Sequence, residues 1–208
     1  MTLKATASRF FSPRRNAAAA RGLMRRLKRG KSGVAAIEFA FILPAMLTMY
    51  FGLTEVTQGV MADRKVTQLN RTMADLASQA TAIDTTERDN IFNAAKAVLM
   101  PFDPDGVSMV YSSVVIDSSG NAKVCWSEAK NGGALTPGNP VSLPAGLSVP
   151  SSSLIMAKSV MPYTPPVGYL MTGTINIGNE TIYMRPRAGK RGGPQNIEQV
   201  ERIGKALC

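Results

Sequence analysis

The hydrophobic pattern changes three times along the chain. After a polar, basic start, Val34 to Leu53 forms a run of twenty residues with one charge, Glu38. A helix of that length spans about 30 Å, the thickness of a hydrocarbon core. Tyr50 and Phe51 stand near its far end, where interfacial aromatics belong. Residues 34–54 therefore read as a transmembrane helix. Beyond it, Val66, Leu69, Met73, Leu76 and Ala80 recur with a 3-4-3-4 spacing. That spacing predicts a continuing amphipathic helix with one apolar stripe against its own domain core. Asp84-Thr85-Thr86-Glu87 then has capping-box form, with Asp84 as N-cap and Glu87 at N3. Ile91, Ala95, Val98 and Leu99 share a face, so a second helix is predicted, ended by Pro101.

After Pro101 the period becomes two. Val107–Asp117 is rich in β-branched residues, Ser118–Asn121 is a turn, and Ala122–Glu128 reads as the return strand. Ser152–Tyr163 reads as a third strand. Thr172–Pro186 reads as a last hairpin, turning at Gly178-Asn179. Asn131–Pro150, rich in Gly, Pro and Leu, reads as loop, and RAGKRGGP as a basic one. Ile197, Val200, Ile203 and Leu207 have the spacing of a short terminal helix. The fold class is α+β. A long N-terminal helix and a second helix pack on a small antiparallel sheet, because each apolar face needs a partner.

Charge changes this picture only at the start. The net charge is +10, which at first suggests nucleic acid or a membrane surface. Of the 24 basic residues, ten precede Val34, where no acid lies, and the other fourteen balance all 14 Asp and Glu. The excess thus belongs to a leader, residues 1–33. The remainder has no aromatic-plus-basic stripe, and no nucleic-acid partner is expected. The cations on the N-terminal side of the span place that side in the cytoplasm and residues 55–208 outside. By composition alone the leader also suits a mitochondrial transit peptide; Glu38 and the cysteines oppose that reading.

The two cysteines, Cys125 and Cys208, are candidates for one disulfide in an oxidising compartment, with two unpaired thiols as the alternative. Histidine is absent from the chain, and Gly-x-Ser-x-Gly and paired metal ligands are not found. Asp103 and Asp105 flank a proline in a turn-like FDPDG. No catalytic residue, metal site or cofactor is expected. Trp126, Tyr163 and Tyr183 read as core or sheet-face residues, and Arg185, Arg187, Lys190 and Arg191 as a solvated loop.

A basic leader, then Gly33, then VAAIEFAFILPAML, then GLTE (Gly52 to Glu55) resembles the TadE-like family of pilus-assembly proteins. These are pseudopilins of the tight-adherence (Tad, Flp) branch of type IV pili. DRKVTQLNRTMADLASQ is similar to the polar helix that follows in that family, and VCWSEAKNG, PYTPPVGY and IYMRPR to segments further on. RAGKRGGPQNIEQVERIGKALC has no counterpart. The resemblance implies a pilin-like fold and cleavage by a prepilin peptidase between Gly33 and Val34, with Glu38 and Phe39 completing the processing motif. It also implies that Glu38 pairs with the new ammonium of Val34 on a neighbouring subunit. Pro44 and Gly52 match the proline and glycine usual in that apolar segment. Pro44 is a candidate kink, since it cannot donate to the Ala40 carbonyl. Gly33, lacking a Cβ, lets a protease approach the backbone.

The expected function is that of a minor pseudopilin assembling a Tad pilus for surface adherence. The partners implied are the prepilin peptidase, other Tad pilus subunits and the inner-membrane assembly platform. The alternatives are an uncleaved single-span assembly or anchoring protein, and an anchored periplasmic enzyme or small-ligand binder.

Overall fold

Helix α1 runs from Ser32 to Gln79, 48 residues without a break. The structure is a computed structural model that describes residues 32–168 and 172–208; the leader up to residue 31 lies outside the described residues. Residues 1–51 and 52–208 are separate units. In the first, every described side chain is exposed. By length and composition this part of α1 qualifies as a membrane span, and none of its apolar window is buried.

The second unit is built on the rest of α1, where Ala62, Val66, Leu69, Met73, Ala74 and Ala77 are fully buried. Leu76 and Ala80, expected on the stripe, are only partly buried. The inward face also takes Asn70, because its Nδ2 donates to the Glu180 carbonyl at 3.0 Å. A two-residue strand, β1 (Ala82–Ile83), leads to helix α2 (Thr85–Val98). Its cap is the expected one: Asp84 Oδ1 accepts from the Glu87 N–H at 2.7 Å. Ile91, Phe92 and Ala95 face the core, and Phe92 meets Tyr111 with ring centroids 5.2 Å apart.

The main sheet is antiparallel in the order β3-β2-β4-β5, with β2 Ser108–Ile116, β3 Ala122–Lys130, β4 Ser152–Tyr163 and β5 Ile175–Met184. Alternation sorts its faces. Met109, Tyr111, Val115, Ile155, Ala157 and Met161 join both helices in the larger core cluster. Val114, Ile116, Leu154 and Met156 face the other way and are covered by Val141, Leu143 and Leu147 of the 131–150 loop.

Two expectations are corrected. Gly178-Asn179 is a bulge, not a turn. Lys158 pairs with Thr181 and Val160 with Gly178, so the whole of β5 pairs with β4 and carries one extra residue. The extra residue shifts the alternation. Ile177 on one side and Ile182 and Met184 on the other all reach the helix-side core. Gly178 has φ +91, and a Cβ there would lie 2.6 Å from both the Ser159 carbonyl oxygen and Val66 Cγ1. Only glycine suits that backbone and that closeness to α1.

The terminal segment is not a helix. Strands β6 (Lys190–Gly192) and β7 (Ile197–Gln199) form a hairpin, and β8 (Glu201–Arg202) pairs in parallel with β1. Ile197 and Gln199 are buried while Glu198 is exposed, the period of a strand. Val200 is fully buried and Ile203 is 57% exposed, so the apolar stripe of a helix is not formed. Non-local pairing with β1 has overridden a spacing that also fitted a helix.

Candidate functional site

The N-terminal candidates lie within the first turns of α1. A Cβ added at Gly33 would meet nothing within 4 Å, so the backbone there is open to approach. Val34 and Phe39 are each 56% exposed. Glu38 is exposed and has no ion pair among the described residues. Val34 and Glu38 are four residues apart in one helix, so they lie on the same face one turn apart. A carboxylate in an apolar span is costly, about 2.5–3.5 kcal/mol at a helix centre and less near an end. Such groups by default mark function.

α1 continues through Pro44. Proline removes the N–H that the Ala40 carbonyl would accept. One turn on, the Thr48 hydroxyl donates to the Pro44 carbonyl at 2.9 Å, and Thr57 makes the same bond to Leu53 at 2.8 Å. Such bonds give a threonine hydroxyl a partner on its own helix, and they leave the Ala40 carbonyl without the donor that Pro44 removes.

The cysteines are joined. Cys125 and Cys208 form a disulfide with Cα atoms 5.7 Å apart, and no free cysteine remains among the described residues. A bulge in β3 positions Cys125: Ser113 pairs with Trp126 and Val114 with Val124, leaving Cys125 as the extra residue. Cys125 and Trp126 therefore both join the helix-side core, although they are adjacent. Trp126 Nε1 donates to the Val200 carbonyl at 2.8 Å. The buried Gln199 grips the main chain of Cys208 on both sides. Its Oε1 accepts from the Cys208 N–H at 3.2 Å and its Nε2 donates to the Cys208 carbonyl at 3.0 Å. Gly193, with φ +75, makes room for this: a Cβ there would overlap the Cys208 carbonyl.

A charge cluster fastens the same segment. Glu128 of β3 accepts from Arg202 Nε at 2.9 Å and from Lys205 Nζ at 3.1 Å, with Arg88 of α2 at 3.7 Å. Burial works to raise the Glu128 carboxyl. The hydrogen bonds and charges of Arg202 and Lys205 outweigh it and hold the group below the ordinary carboxylate range. Burial, and then the Glu128 charge, push the nearby Tyr111 phenol well above its ordinary value, so it stays neutral. The sequence carried no signal for Gln199, Glu128 or Arg202. Their partners are remote in the chain; Arg202 and Glu128 are 74 positions apart.

Trp126 and Tyr163 are buried core residues and Tyr183 packs partly buried under the loop, as expected. The site residues thus fall into two sets: Gly33, Val34, Glu38, Phe39 and Pro44 in the first unit, Cys125 and Cys208 in the second. Among the described residues no group of three or more Cys, Asp or Glu is placed to hold a metal ion.

No curated protein and no solved structure matches the chain. Residues 33–81 match the family described as TadE-like protein. The match begins at Gly33, takes in Glu38 and Pro44, and ends just past α1. The match covers less than half of the chain, and what is similar to the TadE-like family is α1 from Gly33 onward and the two residues past it.

Proposed function

We propose that the protein is a minor pseudopilin of a Tad pilus, working by assembly and not by catalysis. The observation that carries this reading is α1 itself. One unbroken helix holds a span-length apolar run with a carboxylate near its start, and past Phe51 it supplies the central core stripe of a disulfide-stapled α+β unit. A membrane anchor needs only the first part, and a soluble domain needs only the second.

In this reading the basic leader stays in the cytoplasm, the span crosses the inner membrane, and residues 55–208 fold in the periplasm. The oxidised Cys125–Cys208 pair supports that placement, because such bonds persist in oxidising compartments. A prepilin peptidase cuts between Gly33 and Val34 and leaves an ammonium on Val34. Glu38 of one subunit pairs with that ammonium on its neighbour as subunits pass from the bilayer into the filament. A buried pair of this kind fixes register more than it adds stability. Pro44 supplies a weak point in the helix, because Ala40 lacks its usual donor.

The test is Glu38→Ala in the native host, scored for piliation and for leader removal. Loss of pili with normal cleavage is expected. Unchanged piliation would remove the role given to Glu38.

A further inference from the structure

The segment after β5 carries four cations, and the structure treats them in two ways. Arg187 lies 2.8 Å from an Asp75 carboxylate oxygen and Lys190 lies 3.0 Å from Glu201. Arg185 and Arg191 form no ion pair among the described residues, and both line a single polar cavity of about 170 Å³. Its other walls are Ser151 just before β4, Ser152 and Ser153 at its start, Pro186, and Asn196, Ile197 and Glu198 of the β6–β7 hairpin.

The hydroxyls of Ser152 and Ser153 are already used, donating to the carbonyls of Val149 and Glu198 at 2.6 and 2.5 Å. The Ser151 hydroxyl and the Asn196 carboxamide have no hydrogen bond among the described residues. Both residues stand in the left-handed region, with φ 54 for Ser151 and 51 for Asn196. Asparagine enters that region readily, and serine at a cost. The cavity is therefore lined by two exposed arginines without an ion pair and by two exposed polar residues whose side chains have no hydrogen bond among the described residues, against one acidic residue, Glu198. Guanidiniums present planar forks of N–H donors that match the oxygens of an oxyanion, and the hydroxyl and amide add further donors. Drug-sized ligands need roughly 300 Å³ or more, so this cavity suits one charged group.

We infer that the cavity between Arg185 and Arg191 is a subsite for a tetrahedral oxyanion, phosphate or sulfate, either free or esterified on a polymer. Glu198 sets an upper limit on its affinity. The inference does not depend on pilus assembly, since it concerns only the second unit.

The test titrates the purified full-length chain in nonionic detergent with inorganic phosphate and, separately, with dextran sulfate, by calorimetry at low salt. Saturable binding is expected. The double variant Arg185→Gln/Arg191→Gln should lose about tenfold or more in affinity, Glu198→Gln should gain about threefold, and Arg187→Gln should change little. Binding of both probes with this variant pattern supports a site open to the free ion. The same pattern with dextran sulfate alone supports an esterified anion. Absence of saturable binding, binding that the double variant retains (as binding to the cationic leader would be), or an Arg187→Gln loss as large as that of the double variant, overturns the inference. The Glu198→Gln gain stands as an independent readout should the double variant fold poorly.

Discussion

Arg202 of β8 donates to Glu128 of β3 over 2.9 Å, with the two side chains only 8% and 12% exposed. Arg202 Nη1 also donates to the Ile83 carbonyl at 3.1 Å, so one guanidinium joins β1, β3 and β8. Removing one partner of a buried pair costs about 3–5 kcal/mol when the other charge is left alone. Here Lys205 and Arg88 remain beside Glu128. Arg202→Met is therefore expected to destabilise the second unit by about 2–3 kcal/mol, read from the urea midpoint of the full chain in detergent.

The same cluster gives a pH dependence. The Glu128 carboxyl is depressed in the folded chain. Its contribution is complete above the unfolded carboxyl pKa of about 4.3 and is lost as pH falls through the lower folded value. Stability should fall on acidification from about pH 4.5 downward. Glu128→Gln should flatten that part of the profile in denaturant titrations at pH 7, 4 and 3.

Gly178→Ala tests the bulge. The new methyl would meet Val66 and the Ser159 carbonyl at 2.6 Å with φ at +91. Strain of that backbone and overpacking together cost about 2–4 kcal/mol. Gly120 has a similar φ, +84, but open space around it. Gly120→Ala should therefore cost only about 1 kcal/mol. Equal losses for the two variants would mean that α1 does not press on β5 at this point.

Much of this fold is written locally. Asp84 and Glu87 announce the start of α2, and β4 has the predicted ends Ser152 and Tyr163. Gly178-Asn179 misleads because glycine followed by asparagine signals both a turn and a bulge. The choice between them is made by β4, which continues to pair on both sides of it. Ile197, Val200 and Ile203 mislead because short strands repeat too few times to show their period, and because Glu201 and Arg202 between them pair with Ala82 and Ile83, far away in the chain. The candidate disulfide was legible from cysteine count and topology. The grip of Gln199 on Cys208 was not, since it exists only once the hairpin is closed.

Reduction of the disulfide should be felt throughout the second unit. The bond closes a loop of 83 residues. In the chain-entropy model that contributes about 4–5 kcal/mol. Cys125→Ser and Cys208→Ser should each lower the midpoint as much as reduction does, and reduction should have no further effect on either variant. A larger effect of reduction than of Cys125→Ser would point to another source of the loss.

The cut before Val34 is the step on which the proposed role depends, and the intact mass of the protein from its native host measures it directly. In cells with their prepilin peptidase, the mature chain is expected to begin at Val34, and in cells lacking the peptidase at Met1. An intact Met1 end in the peptidase-positive cells would contradict the account and leave an uncleaved single-span protein.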